Sequence, residues 1–236
     1  MRSCIPNLPQ NSVKKAFVSE IMPDEIKENL YNFGIETVTA PVCSALTSEL
    51  KYHPDIVLNN PAQSIWYCIG DTNMNNLLTK GETTLADKYP KDCAYNCFII
   101  DGALYGGKNV AQEIKKYSER HIVIAQGYTK CSTVILSAES FITSDISVYK
   151  ALVNEGKNVL KVSNGGILLN GYSCGFIGGC TGVLGNKILS VTGNAKLLED
   201  YDLIQGFCKN IGYDVVSLSN AQPYDYGGIL PICEDD

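Results

Sequence analysis

Short apolar runs recur along this chain in a fixed order, and that recurrence constrains the fold more than any other feature. From Cys131 the pattern reads strand (132–137), strand (140–144), helix (145–155), strand (158–163). From Cys180 it repeats as strand (181–184), strand (187–191), helix (195–211), strand (214–219). The runs are short and rich in β-branched residues, as buried strands are. The segment from Asn96 fits as strand (97–101), strand (103–105), helix from Asn109, strand (121–126). The segment from His53 fits with strands at 55–59 and 64–69, a helical stretch within 71–88 and a closing strand near 92–95. A fifth unit is divided between the ends of the chain. Residues 228–232 supply its first strand, and 15–20, a helix from Pro23 and 36–40 supply the rest. Five ββαβ units in 236 residues average about 47 residues each. An array whose last unit is completed by both ends predicts a closed ring, which leaves no open sheet edge. The expectation is one α/β domain over residues 1–236, closed by pairing of its N- and C-terminal segments. An ordinary mixed α/β sandwich is the competing arrangement.

Composition supports a folded enzyme-sized chain. Hydrophobic residues make up 45% and charged residues 19%, with a formal net charge of −6. The acidic balance and the lack of any basic run predict no nucleic-acid binding. No apolar stretch reaches the roughly 18 residues that span a bilayer, and no apolar leader opens the sequence, so a cytoplasmic location is expected. Ten cysteines are then unusual. Disulfides are not expected in that compartment. Zinc sites announce themselves as Cys-x-x-Cys pairs, whereas the nearest spacings here are Cys93-x3-Cys97 and Cys174-x5-Cys180. Most of the thiols read as small buried hydrophobes.

Several segments carry a family likeness: His53-Pro54-Asp55-Ile56, Gly127-Tyr128-Thr129-Lys130-Cys131-Ser132, Ile142-Thr143-Ser144-Asp145, Gly171-Tyr172 through Gly178-Gly179, and Asp225-Tyr226-Gly227-Gly228-Ile229. Together with the five-fold ββαβ order they resemble the pentein superfamily of guanidino-modifying enzymes, a five-bladed propeller fold. They are most similar to an uncharacterised bacterial family assigned to that fold. The superfamily's chemistry implies a Cys thiolate that attacks a guanidino carbon, a His that protonates the leaving amine, and carboxylates that grip the guanidinium. It implies no cofactor and no metal.

Candidate residues follow on two lines. His53-x-Asp55 matches the superfamily's His-x-Asp, and two residues apart on a strand they would face one side. Superposing the apolar cores of the first strands places His53, Tyr95, Cys131, Cys180 and Tyr226 at one ring position. Cys131 is the first candidate nucleophile because Lys130 stands beside it and a neighbouring cation lowers a thiol pKa. Cys180, after Gly178-Gly179, is the second. Cys233 has the C-terminal location the resemblance implies, but lies one residue too far from Gly228 and lacks a preceding His. Asp55 and Asp225 are the candidate substrate carboxylates. Asp145 is a third, also placed to cap a helix. His121, on a buried strand, reads as structural. The expected function is a cysteine-dependent hydrolase or amidinotransferase acting on a small guanidino or amidine compound through a covalent thiouronium. A non-catalytic pentein that binds a macromolecular partner, and a metal or redox protein using the Cys pairs, are the alternatives. The sequence leaves the oligomeric state open.

Overall fold

The structure is a computed structural model, described over residues 1–47, 49–70 and 77–236. It contains five small sheets, each beginning with an antiparallel pair and continuing into a parallel third strand. This is the ββαβ order read from the repeat, arranged as a five-bladed propeller.

Blade I joins both ends of the chain. Leu230–Glu234 lies between Arg2–Ser3 and Val13–Val18, and Val13–Val18 runs parallel to Glu36–Thr39 after the helix Asp24–Asn32. Blade II is Leu58–Ala62, Ile65–Cys68 and Thr79–Lys80. Blade III is Phe98–Ile100, Ala103–Gly106, the helical turn Gln112–Lys115 and Arg120–Val123. Blade IV is Thr133–Ile135, Ser140–Thr143, the helix Ile146–Asn154 and Asn158–Lys161. Blade V is Thr181–Val183, Ile188–Val191, the short 3-10 turn Ala195–Leu197, the helix Tyr201–Asn210 and Asp214–Ser217.

Local chemistry accounts for the crossovers. In blade IV, Asp145 caps its helix by accepting from the backbone N–H groups of Ser147 and Val148. The helix stops at Gly156, whose φ of 75° lets Lys157 N return to Leu152 O at 3.1 Å. The third strands of four blades share one burial pattern, exposed at both ends and half-buried between. The first two strands are almost wholly buried. Each blade therefore presents its first strand to the centre and its third to solvent. Phe98, Tyr105 and Phe141 stack between blades III and IV.

Two expectations are corrected in blade II. Residues 55–59 do not begin a strand at Asp55. Pro54–Val57 form one helical turn, with proline at its first position, and the strand starts at Leu58. The parallel third strand is Thr79–Lys80, not 92–95. The helix expected within 71–88 falls partly on residues outside those described, and the described part, 77–88, is not helical. In blade V the 195–211 helix is divided into a 3-10 turn and the helix from Tyr201. No helix among the described residues is long and apolar enough to cross a membrane.

Candidate functional site

Each first strand is preceded by a tight turn, and the turns meet at the centre. Five hydrogen bonds link them in a ring. Asp55 N donates to Gly227 O (3.2 Å), and Gly228 N to Gly179 O (2.8 Å). Gly179 N donates to Cys131 O (3.1 Å). Cys131 N donates to the Asn96 side-chain oxygen (3.0 Å), and Asn96 Nδ2 to Asp55 O (2.9 Å). The axial positions are thus Asp55, Asn96, Cys131, Gly179 and Gly227. Of the ring position expected from sequence, Cys131 alone is shared. The register is displaced by one residue in three blades and by two in blade II, where the extra helical turn intervenes.

His53, Asp55, Cys131 and Asp225 converge beside this ring, and all four are buried. The Cys131 thiol donates to Asp55 Oδ2 at 2.8 Å and receives Asn96 Nδ2 at 3.0 Å. His53 Nδ1 lies 4.0 Å from Asp55 Oδ1 and 3.7 Å from Asp225 Oδ1. Neither ring nitrogen of His53 has a hydrogen-bond partner among the described residues, nor does Asp55 Oδ1. Buried polar atoms are rarely left so, and a constellation of them in one place points to a ligand. Asp225 is held by two backbone donors, Phe176 N to Oδ2 (2.8 Å) and Gly227 N to Oδ1 (3.0 Å).

Electrostatics follow from this crowding. Burial, opposed by His53 and reinforced by Asp225, pushes the Asp55 carboxyl up from 3.8 to about 6. Burial and the carboxylates of Asp55 and Asp225 push the Cys131 thiol well above its ordinary range. The Lys130 charge acts on Asp55 and Cys131, but burial and the two carboxylates outweigh it and the thiol is not lowered as the sequence suggests. Lys130 Nζ bonds Asn7 Oδ1, and burial lowers its own pKa.

The other candidates are not brought to this group. Cys180 shares a buried cluster with Val134, Ile142, Leu189 and Val191, its sulfur on Ile177 O at 3.5 Å. Asp145 is the blade IV cap; burial raises its pKa, but the bonds from Ser147 and Val148 outweigh it and hold the carboxyl below its usual range. Cys233 lies in a strand opposite Ser3 and Lys15. His121 bonds Gly106 O from an outer strand. Asn96 was missed by sequence reasoning, because a one-residue shift put Tyr95 in its place.

His53, Cys131 and Asp225 close one end of a cavity of about 190 Å³, whose other walls are Leu50, Ile56, Tyr128, Leu169, Tyr172, Ser173, Cys174 and Phe176. Asp55 lines instead a separate cavity of about 50 Å³, which Lys130 also lines. Tyr128 donates its hydroxyl to Asp92 and lies 6.2 Å from the Phe176 ring. The rim is tied by Thr47 Oγ1 and Tyr172 OH at 3.4 Å. A largely apolar slot ending in the Asp225 carboxylate suits a flat organic cation. The donor atoms of His53, Asp55 and Cys131 lie within 4.8 Å of one another, so the same group could also ligate a metal ion.

Solved structures share the architecture along the whole chain. The inosamine-phosphate amidinotransferase StrB1 from Streptomyces griseus matches with a TM-score of 0.57 and 10% identity, covering 100% of this chain and 97% of its own. SxtG, an amidinotransferase from Microseira wollei in the saxitoxin biosynthetic pathway, gives 0.55 and 9%, covering 100% and 98%. The agmatine deiminase of C. jejuni gives 0.54 and 10%, covering 100% and 97%. The fold is the pentein propeller that the repeat predicts. No curated protein matches the chain. The sequence profile of a family of unknown function, DUF6873, matches residues 17–230, and the chain belongs to that family.

Proposed function

We propose that this protein is a cysteine-dependent hydrolase or amidinotransferase acting on a small guanidino or amidine compound. The observation that carries the reading is the convergence of Cys131, His53 and Asp225 at the closed end of one largely apolar cavity, with Asp55 bonded to the Cys131 thiol and neither His53 nitrogen partnered among the described residues. The activities named for the structural neighbours, amidino transfer and agmatine deimination, are consistent with it.

In this reading Asp55 and Asp225 accept N–H groups of the cationic head. The cation cancels the field that holds the thiol protonated, so the Cys131 proton passes to His53, directly or by way of Asp55, as the sulfur attacks. A C–S bond forms to the central carbon. The C–N bond to the leaving amine breaks, and the amine departs with the bonding pair and a proton from His53. A thiouronium remains on Cys131. Water or an acceptor amine then adds to it, His53 takes the proton of that nucleophile, and the C–S bond breaks to return the thiolate.

The test is chemical labelling with turnover. A chloroacetamidine probe should alkylate Cys131 selectively, and Cys131→Ser should lower turnover of the compound identified in a guanidino panel by at least ~10³. Alkylation at Cys180, or unchanged turnover of Cys131→Ser, overturns the assignment. A metal-centre reading is favoured by the compact His53–Asp55–Cys131 donor set. It predicts one metal ion per chain in protein purified without chelator, lost in His53→Ala.

A further inference from the structure

The carboxylates address one end of a substrate, and the remaining cavity walls address the rest. Those walls are Leu50, Ile56, Leu169, Phe176 and the rings of Tyr128 and Tyr172, with Ser173 and Cys174 as neutral polar groups. Among the described residues no Lys or Arg lines this cavity. The two cations nearest in sequence are engaged elsewhere. Lys130 reaches Asn7 and lines a separate, smaller cavity on which Asp55 also borders, so its charge acts on Asp55 from outside the larger cavity. Lys51 lies over the Tyr52 ring, 4.8 Å from its centre. An acidic side chain stands two residues from Thr47, which contacts Tyr172 at the rim: Glu49, which accepts from Tyr224 OH at 3.2 Å.

A second anionic group on the substrate would be stripped of water here without a partner. It would also stand in the field of Asp55 and Asp225. Both effects oppose binding. An apolar tail would meet aliphatic and aromatic surface instead and gain from burial. The volume, about 190 Å³, falls below the range of roughly 300–1,000 Å³ that holds drug-sized ligands, so the tail is short.

We infer that the substrate carries a guanidinium or amidinium head on a short, uncharged, largely apolar tail, and that guanidino acids are rejected. This rests on the function proposed above. The recognition is built into the wall composition and not into the reacting residues.

The decisive pair is n-propylguanidine and γ-guanidinobutyrate, which share head and chain and differ by the terminal carboxylate. Calorimetric binding to Cys131→Ser protein, which cannot turn the compounds over, isolates recognition from chemistry. n-Propylguanidine is expected to bind at least ~100-fold more tightly, about 2.8 kcal/mol at 1.4 per tenfold. Tyr172→Lys, at a position 47% exposed on the rim, should narrow that ratio to within about tenfold by supplying the missing cation. Equal or tighter binding of γ-guanidinobutyrate to the unaltered wall overturns the inference. Selective binding of n-propylguanidine with no turnover of either compound by the wild-type protein upholds the inference and removes the catalytic reading. Turnover of both compounds at equal kcat/KM upholds the catalytic reading and removes the inference. Binding of neither removes both.

Discussion

The chemistry proposed for this site turns on Asp55. This residue accepts the Cys131 thiol through one oxygen and leaves the other open beside His53. Its carboxyl is raised from 3.8 to about 6, chiefly by burial. A carboxyl raised on folding stabilises the folded state fully below its unfolded pKa. That contribution is lost as pH rises through the folded value. Wild-type Tm should therefore fall relative to Asp55→Asn between about pH 4 and 6.5, by an amount on the order of 3 kcal/mol in stability. Parallel Tm–pH profiles of the two proteins would contradict this. In the proposed turnover the sign reverses, because a guanidinium would need the ionised carboxylate. The kcat/KM of the free enzyme should climb through about pH 6, and Asp55→Asn should remove that limb along with at least ~100-fold of the activity.

The tight turns ahead of the first strands are the elements that assemble the site, and Asn96 is their main clamp. It is fully buried, accepts from Lys130 N and Cys131 N, and donates to Asp55 O and Cys131 Sγ. Asn96→Ala strands several buried partners at once. It should cost about 2–4 kcal/mol in denaturant unfolding and reduce activity with it. Gly179 is required for a different reason. A Cβ there would stand 1.8 Å from Asp225 Oδ1. Gly179→Ala should displace Asp225 and weaken binding of a guanidinium inhibitor by at least ~10-fold, while Gly206→Ala, which meets nothing within 4 Å, should not. The strand periods were legible from sequence: in blades IV and V the expected strands lie within two residues of those found at every boundary. The turns were not, because a helical turn carries no period long enough to read. One residue of slip exchanged Gly179 for Cys180 and Asn96 for Tyr95.

At the scale of the whole molecule, closure depends on blade I. Leu230–Glu234 is the inner strand that pairs both with Arg2–Ser3 and with Val13–Val18. Glu234 is wholly buried there. It accepts from Arg2 Nε (3.1 Å), Gln10 N (2.5 Å) and Asn11 N (2.8 Å). Glu234→Ala would leave two backbone donors and a cation without their acceptor, and should destabilise the protein by about 3 kcal/mol. We propose that residues 1–236 unfold as one unit; a single calorimetric transition, shifted as a whole by Glu234→Ala, is the expected result, and two separable transitions would contradict it. The sequence by itself determined the number of blades, their ββαβ order, the sharing of one blade between the chain's ends, and the residue types available for chemistry. Strand and helix periods are local, and hydrophobic patterning repeats them five times. Only the tertiary structure decided which cysteine meets His53 and Asp55, that the Lys130 ammonium bonds Asn7, and that no cation among the described residues lines the larger cavity. Those facts depend on side-chain direction at the axis, where segments as distant as Asp55 and Asp225 touch and where a one-residue shift turns a side chain from the cavity into the core.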